Sequence, residues 1–263
     1  MARRTYLDGI LEVHRERAAA DSRDVDDLVA ACRNLDDTRG FRSRLERDSS
    51  TGLCVISEIK RRSPSKGDLN AGLDPSELAR RYEAGGASCL SVLTDEGHFG
   101  GSVADLQAAR SAVNLPVLRK DFTVDVRDVL DARTMGADCV LLIAAALSRE
   151  DIGEFHRVAD SIGLDVLVEI HDEAELEIAL DIGARVIGVN QRDLVTFDVD
   201  HARAVRMAGS IPDHVVKVAE SGVRGVEDAR ALHDAGYHAV LVGESLVTSG
   251  DPTQAVRALR DVR

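Results

Sequence analysis

CVLLIAAALSREDIGEFHRVADSIGLDVLVEIHDEAELEIALDIGARVIGVN, residues 139–190, decides the fold. Three short runs rich in Val, Ile and Leu (CVLLIA, 139–144; VLVEI, 166–170; VIGVN, 186–190) alternate with two amphipathic stretches. A short, continuously apolar run fits a strand buried on both faces, the situation of a parallel strand covered by helices. The punctuation agrees. Ser148 and Asp172 stand where a helix needs a side-chain oxygen to cap its first N–H groups. Gly163 and Gly183 stand where the chain must turn left-handed to leave the helix.

The same rhythm extends outward in both directions. Upstream come LCVISEI (53–59), CLSVLT (89–94) and PVLRK (116–120); downstream come VVKVAE (215–220) and AVLVG (239–243). Helix starts recur at Asp74-Pro75 and Asp251-Pro252, and closing glycines at Gly86, Gly136 and Gly236. Eight β-then-α units in about 210 residues have the size of a (β/α)8 TIM barrel. An open doubly wound sheet is the rival, but no run carries the GxGxxG turn that a dinucleotide requires, and GHFGGS (97–102) has its glycines at the wrong spacing. Residues 1–48 read as an N-terminal extension of one or two polar helices, apolar at Leu7, Ile10, Leu11, Leu28, Val29, Phe41 and Leu45; residues 49–263 make the barrel. The extension is expected to pack on the barrel, capping one end or covering the site.

The chain has 263 residues, 44% of them hydrophobic and 30% charged, the composition of a globular protein. Its formal net charge of −13 argues against nucleic acid or anionic lipid as partners, since both need a basic surface. Neither a membrane-spanning run nor the apolar core of a secretory signal is legible, so the expected compartment is the cytoplasm. Cys32, Cys54, Cys89 and Cys139 form no CxxC pair and read as small buried hydrophobes. Only four of the 33 basic residues are lysines (Lys60, Lys66, Lys120, Lys217), which raises the question of what arginine could not do at those positions.

In a parallel barrel the carboxyl ends of all strands open on one face, where catalytic groups gather. Those ends carry Glu58 and Lys60, Lys120, Glu169, Asn190 and Arg192, and Glu220 with Ser221. Polar side chains have no packing reason to interrupt such runs, and carboxylates converging with lysines make an acid–base set. ESGVRG (220–225) and VGESL (242–246), in the seventh and eighth units, place small residues where backbone N–H groups can meet a phosphate.

SEIKRRSPSKG (57–67), SVLTDEGHFGGS (91–102), PVLRKDF (116–122), LVEIHDEAEL (167–176), IGVNQRDLVTF (187–197), VAESGV (218–223) and LVGESL (241–246) together resemble the successive strand motifs of the indole-3-glycerol phosphate synthase family. The resemblance covers essentially the whole chain, helical extension included. It implies a lyase of tryptophan biosynthesis that closes the pyrrole ring of 1-(2-carboxyphenylamino)-1-deoxyribulose 5-phosphate, releasing carbon dioxide and water, with no cofactor and no metal. It implies Lys120 as the acid that protonates the ketone oxygen, because an arginine is a poor proton donor. Glu169 and Glu58 are the candidate bases of the dehydration, and Lys60 is its acid or the holder of the substrate carboxylate. Glu220 and Asn190 would orient hydroxyls and lysines, and Arg192 the anthranilate end. Phe99, Phe122, Leu142 and Leu194 are expected to line the aromatic slot, and Ser63, Ser221, Gly222, Gly243 and the backbone at Glu244 to hold the phosphate.

His171 is expected to cap its loop rather than catalyse. Two departures from the family pattern stand out: His98 where an aromatic residue is common, and Gln191 where Asn is frequent. The expected partner is the phosphorylated small molecule, with contact to other tryptophan-pathway enzymes left open. The remaining rivals are another phosphate-gripping barrel of amino-acid biosynthesis, such as phosphoribosylanthranilate isomerase or a phosphosugar epimerase, and a non-catalytic metabolite sensor.

Overall fold

A computed structural model describes residues 6–64 and 66–262. Ser65 of the first strand motif and residues 1–5 of the extension lie outside the described residues. Eight strands form one closed barrel: β1 (Cys54–Ile59), β2 (Cys89–Leu93), β3 (Val117–Lys120), β4 (Cys139–Ile143), β5 (Asp165–Ile170), β6 (Val186–Asn190), β7 (Val216–Glu220) and β8 (Ala239–Val242). Each pairs in parallel with its sequence neighbours, and β1 closes the ring by pairing with both β8 and β2. The eight apolar runs are the eight strands.

The local chemistry at the helix ends is as the sequence implies. Asp74, Ser148, Asp172 and Asp251 each accept hydrogen bonds from backbone N–H groups of the following turn. Gly86, Gly136, Gly163, Gly183 and Gly236 all take positive φ, where a side chain would be strained.

Strand periodicity sorts the apolar residues into two layers. Val55, Val92, Leu142, Val168, Val189 and Val240 face the surrounding helices. Ile56, Leu118, Leu141, Leu167, Val218 and Leu241 fill the barrel interior. Stepping two residues on from the interior set at four of these strands reaches Glu58, Lys120, Glu169 and Glu220, so alternation alone carries those polar groups into the mouth.

Among the described residues the extension holds three helices rather than one or two: α1 (Tyr6–Ala20), α2 (Val25–Arg33) and α3 (Phe41–Ser49). They do different work. Phe41 and Leu45 of α3 are fully buried against Cys54, Cys89 and Cys139 and close the amino-terminal end of the barrel. Burial pushes those three thiols above their usual range, consistent with inert packing residues. Helix α1 lies at the opposite end, where Tyr6, Leu7 and Ile10 line the cavity at the barrel mouth. No helix among the described residues is long and apolar enough to cross a membrane.

Candidate active site

A cavity of about 540 Å³ opens at the carboxyl ends of the strands, beneath α1. The Lys120 ammonium, at the end of β3, sits 3.4 Å from Glu169 Oε2 and 4.0 Å from Glu220 Oε2. Asn190 Nδ2 donates to the other Glu169 oxygen at 3.0 Å, and Asn190 lies level with Glu220 in the β6–β7 ladder. Across the mouth, Lys60 and Glu58 form a direct ion pair. Four strands thus bring two ammonium groups and three carboxylates into one pocket.

Burial sets the protonation states. Desolvation alone would lower Lys120, but Glu169, Glu220 and Glu58 more than offset it and hold the ammonium above its usual value. Burial would likewise raise Glu169, yet Lys120, His171 and the Asn190 hydrogen bond keep it below the usual carboxylate range. Glu220 goes the other way: burial and the nearby Glu169 and Glu58 charges outweigh Lys120 and push it well up. Two carboxylates beside one ammonium cannot both ionise cheaply. These neighbours hold Lys120 charged and Glu169 ionised, and drive Glu220 toward its protonated form.

Two glycines make this arrangement possible. A Cβ on Gly188 of β6 would run into the Glu220 carboxyl, and one on Gly243 into that of Glu58. Sequence reading assigned Gly243 to the phosphate and missed Gly188, whose only signal was a glycine inside an otherwise branched strand.

The loops after β7 and β8 line one side of the cavity. Ser221 (φ 64°) and Gly222 (φ 73°) are consecutive left-handed residues that curl the backbone at the pocket wall. A Cβ on Gly222 would lie 2.6 Å from Val199 Cγ1, so only glycine fits. Gln191, one of the two departures, donates from Nε2 to the Ser221 carbonyl at 2.8 Å and pins that curl. Ser245 Oγ donates to the Val223 carbonyl at 3.1 Å, tying the two loops together. The Glu244 carboxylate pairs with Lys66, 3.5 Å away, and both residues line the pocket. Ser63 reaches the same cavity from a short antiparallel pair, Arg62–Ser63 with Gly67–Asp68.

On the apolar side, Phe99 and Phe122 stand 6.3 Å apart between ring centroids, with Leu194 also on the wall. Arg192 donates its N–H to Asn190 Oδ1 at 2.9 Å and its guanidinium to the Phe197 carbonyl at 3.0 Å. Leu142 is a correction. It belongs to the outer layer against the helices, and its neighbours Leu141 and Ile143 line the cavity instead, because a shift of one residue along a strand reverses the face. His98, the other departure, contacts Asp95 and the edge of Tyr6 on α1 rather than the pocket floor.

Fold and pocket define the class: a (β/α)8-barrel enzyme with an acid–base centre at the carboxyl face and glycine-turn loops after its last two strands. The family model described as indole-3-glycerol phosphate synthase matches residues 7–259. Indole-3-glycerol phosphate synthase from Streptomyces griseus subsp. griseus is 57% identical over 208 residues, 79% of this chain and 77% of that one. The protein of the same name from a Nocardioides species is 49% identical over 247 residues, covering 94% and 93%. The chain belongs to the indole-3-glycerol phosphate synthase family. A solved thiamine phosphate pyrophosphorylase from Pyrococcus furiosus superposes with a TM-score of 0.60 over 84% of this chain and 96% of that one, at 16% identity, which bears on the fold alone.

Proposed function

We propose that this chain converts 1-(2-carboxyphenylamino)-1-deoxyribulose 5-phosphate to indole-3-glycerol phosphate, with Lys120 as the acid of ring closure. The observation that carries the reading is the Lys120 ammonium, 3.4 Å from Glu169 and 4.0 Å from Glu220 in a pocket walled by the loops after β7 and β8.

The aryl carbon that bears the carboxylate attacks the sugar ketone, and negative charge grows on the ketone oxygen. That oxygen becomes far more basic than the ketone it was, so a lysine that stays protonated until this moment can give up its proton to it. The new quaternary carbon stands beside an iminium, which accepts the electron pair of the breaking C–C bond as carbon dioxide leaves. Dehydration then removes a proton from the adjacent carbon and expels the hydroxyl as water. The Glu58–Lys60 pair supplies a base and an acid in contact with one another, and we assign this step to it. Glu169 remains the anion that aims Lys120, and Glu220, whose buried Oε1 has no hydrogen-bond partner among the described residues, meets a sugar hydroxyl. Phe99, Phe122 and Leu194 press the aromatic ring toward the ketone, where orientation contributes most. Ser63, Ser221, Gly222, Gly243 and the Glu244 backbone hold the phosphate, and Arg192 the anthranilate carboxylate.

The substrate is a free phosphorylated metabolite and the compartment the cytoplasm in this reading. The test is direct: purified protein given the carboxyphenylamino deoxyribulose phosphate, with no metal or cofactor added, should develop indole fluorescence. Folded protein that forms no indole-3-glycerol phosphate under these conditions would remove the assignment and favour the metabolite-sensor alternative.

A further inference from the structure

His171 follows β5 by one residue, and its ring is held from two sides. Glu175, on the next helix, accepts the His171 backbone N–H at 2.7 Å and lies 3.0 Å from Nδ1. The opposite ring nitrogen, Nε2, is buried 3.6 Å from Glu169 Oε1 and has no hydrogen-bond partner among the described residues. That oxygen is the one turned away from Lys120, which sits nearer Oε2. Capping the loop needs only the bond from the His171 backbone to Glu175. It gives no reason for the imidazole to be packed against the buried carboxylate of the reaction centre.

We propose that His171 is a positioning residue for the reaction: braced by Glu175, its imidazole faces Glu169 from behind and keeps that carboxylate ionised and directed at Lys120. The inference rests on the acid–base reading of Lys120 and Glu169 given above. The charged groups facing the ring are Glu169, Glu175 and Arg203, the last anchored by its bond to the Asn190 carbonyl at 2.9 Å. Burial and Arg203 disfavour a charged ring, but Glu175 and Glu169 outweigh them and the histidine titrates above its ordinary value. A cation at this distance favours the carboxylate form of Glu169 and lowers its pKa. Removing the cation therefore raises the pKa of Glu169, and the acid limb of turnover, which requires Glu169 ionised, moves to higher pH.

The test is the pH profile of kcat for wild type, His171→Gln and Glu175→Gln. Gln keeps a donor near Glu169 without the charge, so the His171→Gln acid limb should move up by about one pH unit, with KM little changed. Glu175→Gln should move it in the same direction by less. Superimposable acid limbs in all three proteins, or a defect confined to KM or to thermal stability, would overturn the proposal. The 13C carboxyl titration of Glu169 in substrate-free protein gives a second readout. It should shift upward in His171→Gln, and an unmoved midpoint counts against the role even if both variants lose activity. Because that titration needs no turnover, it also separates this inference from the reaction assignment, which fails only if wild type makes no indole-3-glycerol phosphate.

Discussion

Lys120 shows why a chain so dominated by arginine keeps a few lysines. Lys60, Lys66 and Lys120 all line the pocket, whereas Lys217 is buried on the amino-terminal side, its ammonium donating to the Ala208 carbonyl at 3.1 Å. An arginine at 120 would preserve the charge beside Glu169, but its planar, delocalised guanidinium would not place a single compact proton donor where the ammonium stands. Lys120→Arg should therefore lower kcat by roughly 100- to 10,000-fold, the range of general acid catalysis, while KM changes little. Steady-state indole fluorescence measures both, and a variant turning over at near the wild-type rate would take the acid role away from Lys120. Much of this chemistry could be read from residue types alone. The upward push on Glu220 could not, because it depends on how close Glu169 and Glu58 come once the barrel closes. The space made by Gly188 was hidden for the same reason: a missing side chain advertises nothing until its neighbour is known.

Strands and caps were legible because each depends on residues close in sequence. Asp74, Ser148, Asp172 and Asp251 cap helices within two or three residues of themselves, and apolar runs such as CVLLIA need no partner to be recognised. The misplacement of Leu142 came at the next level. The run around it is apolar on both faces, so composition does not say which alternate residues point inward. Helix α3 was hidden differently: FRSRLERDS has only Phe41 and Leu45 as apolar residues, four apart, too few to stand out as an amphipathic stripe. Those two are the side chains that close the barrel floor, sealing the end away from the chemistry. Phe41→Ala should cost about 3–5 kcal/mol in denaturant unfolding, as for other buried aromatic truncations, with kcat of the folded protein nearly unchanged. A loss under 1 kcal/mol would mean that α3 is not part of the core.

At the scale of the whole molecule, an acidic chain must receive an anionic phosphate substrate. The net charge of −13 gives no general attraction, so capture is left to local groups at the mouth, where Lys60, Lys66 and Arg192 and the loops after β7 and β8 gather. Helix α1 roofs this mouth and is fastened to it. His14 Nε2 lies 3.1 Å from Asp95 Oδ2, and Tyr6 packs edge-on against Phe197 with ring centroids 5.3 Å apart. The two ends of the substrate are thereby assigned opposite walls of one cavity, and the reacting carbons must meet in between. A crystal structure with indole-3-glycerol phosphate bound tests this most directly. The phosphate should lie against Ser221, Gly222 and Gly243, the indole ring between Phe99 and Phe122, and the Lys120 ammonium toward the newly formed ring. A phosphate bound away from the β7 and β8 loops, or an indole ring out of reach of Lys120, would contradict the account.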